Sequence, residues 1–239
     1  MPSETLSYRE QLGRSELTKP VQRRDSPTES PNCKGSLPEE AMNVFDKTLR
    51  RPPTDPNAPP RVEPLTTPFA ADVQAVFDKI MPPGVPPLAL FTTLARVPRI
   101  YDRFRAGSLL DRGPVSLRHR EIVIDRSCAR CGCAYEWGVH IAFFADRAAL
   151  EPEQVRATVR GDADDPAWSE QEMLLIRLVD ELHDTANISD QLWECLNASF
   201  SIEQIFELIA LTGFYHTVSF FANSLRLRAE PYAATLPAE

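Results

Sequence analysis

The apolar positions of the chain recur at helical spacing from about residue 62 onward. Residues 72–81 (DVQAVFDKIM) place their apolar side chains on one helical face, and the Pro-Pro-Gly sequence that follows ends this helix. A second helical pattern runs from Leu88 to about Leu110, and Pro98 is expected to break or kink it. The first part of this region is therefore expected to be helical, with an interruption at the proline.

Capping residues mark the expected starts of the later helices. Ser116 has the character of an N-cap, and Ser169 and Ser201 each begin a Ser-x-x-Glu/Gln sequence with the spacing of a capping box. The expected helices are 117–131, 133–150, 153–159, 169–185, 190–200 and 201–227, with Gly132 as the interruption between the first two. No segment alternates apolar and polar residues in the manner of a strand, so the sequence predicts an all-α fold, whose helices could pair as hairpins.

The N-terminal quarter of the chain has a different composition. Residues 1–61 are polar and rich in proline, so they cannot bury enough apolar surface to offset the entropy lost on ordering. We expect a mostly disordered arm over residues 1–61 and a folded domain over residues 62–239. Within the arm, residues 39–49 (EEAMNVFDKTL) could form a short helix that docks elsewhere.

Composition argues against several classes of function. The net charge of −8 disfavours binding to a nucleic-acid backbone, and the hydrophobic fraction of 43% is sufficient for a buried core. No stretch approaches the roughly 20 apolar residues of a membrane helix, and the N-terminus lacks the apolar core of a signal peptide. We therefore expect a cytoplasmic protein with no membrane partner. Five cysteines, three of them within six positions, are unlike a disulfide framework, so reduced thiols are expected.

One short stretch concentrates the residues that could carry chemistry. Cys133, Glu136 and His140 stand at positions i, i+3 and i+7, so they project from one face of a helix. A carboxylate beside an imidazole raises its proton affinity and fixes its tautomer, which a general acid or base requires. Cys133 follows Gly132 at a helix start, where free backbone N–H groups favour a thiolate. Glu121 lies on the preceding helix and could face the same cluster in an antiparallel hairpin.

These residues also fit a structural role. A Glu–His pair four residues apart is often a surface contact, and a cysteine on a helix is usually a small core residue, so residue types alone favour this interpretation. Cys128 and Cys131 form a Cys-x-x-Cys sequence at a helix end. Without a neighbouring sheet a thioredoxin-type pair is disfavoured, and one short turn can hardly provide a zinc site with Cys133 and His140.

The remaining candidates are more simply explained by packing. His183 near a helix end would complement the helix dipole, and His119 between two arginines is expected to be exposed. Tyr215 and His216 lie among apolar residues of the last helix, where core packing is expected. Trp137 is expected in the core or in a subunit contact.

The order and spacing of the charged cluster resemble the carboxymuconolactone decarboxylase superfamily, which includes the AhpD-like alkylhydroperoxidases. In its thiol peroxidase branch a Glu is followed twelve residues later by Cys-x-x-Cys-x-x-x-His, and Glu121, Cys133 and His140 stand at the matching positions. Residues 82–85, 90–98, 207–216 and 223–225 also resemble the family. The resemblance runs from about residue 60 to the C-terminus. It implies an AhpD-like helical domain that forms homo-oligomers, commonly trimers or hexamers, and a pocket that Tyr215 or His216 could line.

One departure from the family pattern changes the expected chemistry. Glu136 occupies the position of the second peroxidase cysteine, and the Glu-x-x-x-His sequence resembles the decarboxylase branch, whose members carry no redox pair. The resemblance implies a cofactor-free, metal-free lyase-type or related acid–base enzyme that acts on a small organic acid or lactone. In it His140 would carry the proton, Glu136 would orient His140, Glu121 would be a second carboxylate and Cys133 would line the pocket.

Two alternatives stay open. The first is an AhpD-like thiol peroxidase, in which Cys133 is oxidised and then resolved by Cys131, Cys128 or an external thiol. The second is a non-catalytic oligomeric partner protein, for which the proline-rich arm could be the docking segment.

Overall fold

The computed structural model of the protein describes residues 58–237 and shows nine α-helices and no strand within that range. The helices are α1 (Ala71–Ile80), α2 (Ala89–Leu94), α3 (Pro98–Ala106), α4 (Leu117–Arg130), α5 (Ala134–Phe144), α6 (Pro152–Arg160), α7 (Glu170–Thr185), α8 (Asp190–Ser199) and α9 (Ile202–Leu225). The predicted all-α class is confirmed. The expected arm up to residue 57 and the expected helix at 39–49 lie outside the described residues.

Local sequence signals account for most helix boundaries. Pro98 occupies the first turn of α3, where its missing N–H costs nothing, so it separates two helices instead of kinking one. The side-chain oxygens of Ser116, Ser169 and Ser201 accept the backbone N–H three residues later, as expected of N-caps. The helix expected at 133–150 ends earlier, at Phe144, because residues 145–149 form turns.

Helix α4 is the centre of the domain and packs against α5, α6, α7 and α9. Every residue from Glu121 to Cys128 is buried, which is the pattern of a helix surrounded on all sides. Four of these eight buried residues are polar or charged: Glu121, Asp125, Arg126 and Ser127. Buried polar groups require partners, so the polar side chains of α4 must be matched by groups on the surrounding helices.

Arg126 joins three elements inside the domain. Its guanidinium donates to both carboxylate oxygens of Asp180 on α7, at 2.8 and 2.7 Å. It also donates to the backbone carbonyls of Thr158 and Gly161 at the end of α6, at 3.1 and 2.9 Å. The planar guanidinium can satisfy all four acceptors at once, so this one side chain holds α4, α6 and α7 together.

Helix α9 is long and apolar enough to cross a membrane by length and composition, with a window of mean hydropathy 1.4. The expectation that no stretch would reach this level was therefore wrong for α9. The core helix of a soluble protein has the same properties, and α9 packs against α4, α5, α7 and α8. The helix is apolar in part because many of its side chains belong to the core, among them Ile205, Leu208 and Leu211.

The cysteines do not all follow the expectation of reduced thiols. Cys128, Cys131 and Cys133 are thiols, whereas Cys195 on α8 is disulfide-bonded. The expectation was wrong for Cys195 because spacing along the sequence does not show which cysteines a fold brings together.

The C-terminal segment packs along α5. The N–H of Ala234 donates to the carbonyl of Gly138 at 2.9 Å. A carboxylate oxygen of Glu230 accepts from the Tyr135 hydroxyl and from the N–H of Ala89, both at 2.6 Å. These bonds connect the end of the chain to α5 and to the start of α2.

We expect Gly138→Ala to lower the free energy of unfolding by roughly 1–3 kcal/mol. A Cβ at residue 138 would overlap the carbonyl oxygen of Ala234 and lie 3.3 Å from the Cβ of Ala233. Urea denaturation would measure the loss. Gly213→Ala on α9 is the matched control, because a Cβ there meets nothing within 4 Å, and it should be neutral or stabilising by up to about 1 kcal/mol. Equal stability of the two variants would contradict the close packing of the segment.

Candidate active site

The turn between α4 and α5 sets the position of the charged cluster. Gly132 has φ 58°, and the N–H of Cys133 donates to the carbonyl of Cys128 at 2.8 Å, as in a Schellman motif. The left-handed conformation favours glycine at this position. Because the turn is so short, α5 folds back beside α4 and brings His140 next to Glu121.

His140 contacts side chains of three helices. Its Nδ1 lies 2.7 Å from Oε2 of Glu121 on α4, and its Nε2 lies 3.0 Å from the hydroxyl of Tyr215 on α9. The Nε2 atom also lies 3.4 Å from Oε1 of Glu136, one turn earlier on α5. Glu121 therefore makes the shorter carboxylate contact, although Glu136 was the expected orienting partner. Both ring nitrogens are occupied, so the ring orientation is fixed.

The proton of His140 is held tightly. Burial lowers the pKa of a histidine, but hydrogen bonds to the carboxylates of Glu121 and Glu136 and their negative charges outweigh burial and raise the pKa of His140 to about 10. The ring is therefore an imidazolium at neutral pH. Its Nδ1–H donates to Glu121, and its Nε2–H points to the Tyr215 oxygen and to Glu136.

We expect a stability contribution from His140 that depends on pH. The pKa is raised in the folded state, so the contribution is fully present below the ordinary value of 6.5 and is lost as the pH rises toward about 10. The difference in free energy of unfolding between the wild type and His140→Gln should therefore shrink across this range, by on the order of a few kcal/mol. Urea denaturation at several pH values would measure it.

His119→Gln is the control for this titration. Burial is the main cause that lowers the pKa of His119, opposed by the charge of Glu172, so any linked change in stability must fall at or below pH 6.5. A pH-independent difference between wild type and His140→Gln would contradict the charged state of His140.

Two carboxyl groups near His140, those of Asp125 and Glu136, each have an oxygen atom without a partner. Asp125, one turn after Glu121 on α4, has its pKa raised well above the ordinary value by burial and by the charge of Glu121. Oδ1 of Asp125 and Oε2 of Glu136 are buried and have no hydrogen-bond partner in the structure. Buried unpaired oxygens are costly in a structural network and are common where a substrate completes the bonding. Glu136 therefore offers an acceptor next to the Nε2 proton of His140.

Cys133 lies at the N-cap of α5 and is buried. The backbone N–H of Glu136 and the hydroxyl of Ser219 on α9 lie against its sulfur and favour the thiolate. Burial has the larger and opposite effect and raises the pKa of Cys133 to about 12. The expectation of a helix-start thiolate was therefore wrong, because desolvation outweighs the backbone N–H groups.

The site is closed to solvent in this structure. Glu121 is 1% exposed, Glu136 6% and His140 3%. Two half-buried side chains cover the site, those of Phe144 and Arg120. The ring centre of Phe144 lies 5.2 Å from that of His140, and Arg120 lies 3.4 Å from Glu121. Arg120 also donates to the carbonyl of Leu110 at 3.0 Å, in the loop before α4. A substrate would therefore reach His140 only after one of these neighbours moves.

The structure brings together Glu121, Glu136 and His140, and it places Cys133 at the start of the same helix. Tyr215 completes the group. Its residue type and surroundings indicated packing, whereas the family resemblance implied that it could line the pocket. Residue type gave no signal for this contact, because the tyrosine is 75 residues from His140 in the sequence. Trp137 is buried and donates to the Thr158 hydroxyl at 3.0 Å, as a core residue does.

Comparison with solved structures places this arrangement in a known fold. An uncharacterized peroxidase-related protein from Silicibacter sp. TM1040 superposes with a TM-score of 0.65 at 17% identity, over 77% of this chain and 99% of that one. An AhpD-core peroxidase-related protein from Ralstonia eutropha JMP134 gives 0.62 at 15% identity, over 71% and 93%. The debrominase Bmp8 gives 0.55 at 18% identity, over 72% and 92%. The protein therefore has the AhpD-like helical fold.

A family model matches the middle of the chain. Residues 95–181 match the carboxymuconolactone decarboxylase family, and this range contains Glu121, Cys133, Glu136 and His140. No curated protein matches the chain. This match, which covers about a third of the chain, and the AhpD-like fold together support a relation to the carboxymuconolactone decarboxylase/AhpD-like superfamily.

Proposed function

We propose that the protein is a lyase-type acid–base enzyme that donates a proton to a carbon atom next to a carbonyl group of a small organic acid or lactone. The observation that carries this proposal is the position of His140 between Glu121 and Tyr215. One carboxylate holds the charged ring at Nδ1, and the Nε2–H is directed toward a hydroxyl and an incompletely bonded carboxylate. A general acid needs a protonated group held in a fixed orientation, and the Nε2–H of His140 meets this requirement.

Loss of carbon dioxide from a carboxylated lactone would use the group as follows. The bond between the ring carbon and the carboxylate breaks, and its electron pair moves to the neighbouring carbonyl to form an enolate, while carbon dioxide leaves. The Tyr215 hydroxyl can donate to the enolate oxygen. The Nε2–H of His140 then protonates the carbon, and the ring regains its proton from water. Glu136 would bind a hydroxyl or a protonated group of the substrate.

The test is an assay of wild-type protein with a panel of small carboxylated lactones and β-keto acids. Carbon dioxide release is measured together with incorporation of one deuteron from D₂O at the product carbon. Glu136→Gln should reduce both, whereas Glu153→Gln, on the exposed Glu153–Arg156 pair of α6, should leave both unchanged. Absence of both release and exchange with every compound in the panel would refute the proposal.

A second candidate is the thiol peroxidase, which one observation favours. The backbone N–H of Glu136 donates to the sulfur of Cys133, and the Ser219 hydroxyl lies against it. The thiols of Cys128 and Cys131 are close enough to affect Cys133 electrostatically. In that reaction the Cys133 thiol and a hydroperoxide yield a sulfenic acid and an alcohol. A neighbouring thiol then attacks the sulfenic acid, which forms a disulfide and releases water. Two equivalents of an external thiol reduce this disulfide to the two protein thiols and are themselves oxidised to a disulfide. Sulfenic acid trapping by mass spectrometry after hydroperoxide treatment separates this candidate from the first.

The proposed enzyme would act as a homo-oligomer. Three large apolar side chains on α9 are exposed: Ile202 (47%), Phe206 (64%) and Phe220 (65%). The two phenylalanines are fourteen residues apart, close to four helical turns, so they share a face that a second copy could cover. We expect Phe206→Glu with Phe220→Glu to lower the mass measured by light scattering, relative to wild type and to the control Ala75→Glu at an exposed position of α1. An unchanged mass would contradict this role for α9.

A further inference from the structure

A second group of chemically reactive side chains lies at the ends of α4 and α7 and on α9. It consists of Cys131, His183 and His216, which are not among the partners of His140. One ligand atom from each, the cysteine sulfur and one nitrogen of each ring, lies within 4.8 Å of the other two. Cys131 is 9% exposed, and both histidines are half-buried, so the group is reachable from solvent.

The hydrogen bonds of the two histidines define which nitrogens face each other. Nδ1 of His216 lies 2.8 Å from the carbonyl of Thr212, and because a carbonyl only accepts, this nitrogen carries a proton. The lone pair of neutral His216 is then on Nε2, which lies 2.9 Å from Nδ1 of His183. A histidine that binds a metal usually donates its other N–H to such a carbonyl, which fixes the ring and its tautomer.

The geometry points to a divalent metal site with Cys131, His183 and His216 as ligands, and Zn²⁺ as the ion. Zinc prefers imidazole nitrogen at about 2.0–2.1 Å and thiolate sulfur at about 2.3 Å, in a tetrahedron. Two nitrogens of such a tetrahedron are about 3.3 Å apart. The two rings would therefore separate by only a few tenths of an ångström from their hydrogen-bonded distance to admit the ion.

Binding requires a small rearrangement of protons. The Cys131 thiol releases its proton to water, and His183 moves its proton from Nδ1 to Nε2, so that Nδ1 can bind the ion. The backbone at Cys131 is held in place, since Nδ2 of Asn223 donates to its carbonyl at 3.0 Å. Three protein ligands leave one tetrahedral position for water or for another molecule, as in zinc sites that perform chemistry. This site is independent of the function proposed for His140.

The first experiment titrates the chelator-treated full chain with Zn²⁺ by calorimetry and with Co²⁺ by absorption spectroscopy. We expect one ion per chain and, for Co²⁺, a thiolate-to-metal charge-transfer band. Cys131→Ser should remove that band, and His216→Gln should weaken Zn²⁺ binding by more than the 10–100-fold that loss of an outer partner costs. Cys128→Ser and His119→Gln are the matched controls and should bind as the wild type does. Circular dichroism confirms that each variant is folded.

The second experiment needs no variant for its main readout. The chain has four histidines, His119, His140, His183 and His216, and ¹⁵N-detected imidazole spectra resolve each ring. We expect stoichiometric Zn²⁺ to shift the resonances of His183 Nδ1 and His216 Nε2 and to leave His119 in place. Spectra in which neither His183 nor His216 moves, or a folded Cys131→Ser, His216→Gln double variant that still binds Zn²⁺ with wild-type affinity, would overturn the site.

Discussion

Replacing His140 by Gln is expected to lower the rate of substrate decarboxylation or proton exchange by about 100-fold to 10,000-fold. Gln preserves much of the shape of the ring and can still donate to Glu121, but it cannot carry a proton. The main loss should appear in kcat, because the proton is transferred in the transition state. The assay is carbon dioxide release and deuteron incorporation with whichever compound of the panel is turned over.

Glu121→Gln separates a chemical role from a structural one. It keeps a hydrogen-bond acceptor at Nδ1 but removes the charge that raises the pKa of His140. Because the charged ring is the acid, activity should fall as the pH rises through the pKa of His140, and in Glu121→Gln this fall should occur at lower pH. His119→Gln, with no contact to the site, should retain the wild-type profile. If His140→Gln retains full turnover in a folded protein, His140 is not the proton donor.

Replacing Arg126 by Met is expected to lower the free energy of unfolding by about 3 kcal/mol. The change removes four hydrogen bonds: the carbonyls of Thr158 and Gly161 lose this donor, and Asp180 keeps only the longer contact to Arg130 at 3.4 Å. Asp180 is 24% exposed, so water compensates its charge in part, and the loss should fall at the lower end of the values seen for broken buried pairs. Urea denaturation at neutral pH would measure it.

Arg156→Met provides the matched comparison for Arg126→Met. Arg156 pairs with Glu153 at 3.4 Å, and the two side chains are 56% and 65% exposed. Exposed pairs contribute between about 0 and 1 kcal/mol, so this variant should be close to wild type. Adding Asp180→Asn to Arg126→Met should recover part of the loss, because it removes a carboxylate whose two short hydrogen bonds are gone and whose remaining contact to Arg130 is 3.4 Å. Similar losses for Arg126→Met and Arg156→Met would mean that the buried network does not hold the three helices together.

Local signals were sufficient to predict much of the fold. Ser169 and Ser201 cap the helices that their spacing indicated, and Pro98 stands at a helix start. These features depend on residues within one turn of each other, so they are visible in sequence. The end of α5 was placed six residues too late, because the turns at 145–149 contain no glycine or proline and look helical in composition.

The candidate site could be predicted only in part. Glu121 and His140 were expected to meet, because a short turn at Gly132 makes a hairpin. That Glu121 lies closer to His140 than Glu136 does depends on the packing angle of the two helices, which no spacing reveals. The prediction of a Cys133 thiolate was wrong. The local N–H groups that favour it are visible in the sequence, whereas the burial that outweighs them depends on the whole fold.

The group at Cys131 shows the same limit more clearly. His183 was interpreted as a complement to the helix dipole and His216 as a packing residue, each from its own helix. The contact between them joins positions 33 residues apart, and Cys131 is a further 52 residues before His183. Only the assembled α4, α7 and α9 bring their ligand atoms together.

The packing of the C-terminal segment on α5 bears on how C-terminal deletion variants of this protein are interpreted. Chain ends usually tolerate trimming, because few buried contacts depend on them. Here the bonds of Glu230 and Ala234 support the helix that carries Glu136 and His140. A protein shortened by ten residues could therefore lose activity without losing any residue of the site. Such a result would show that the C-terminal segment stabilises α5. It would not show that a substrate-binding residue lies at the C-terminus.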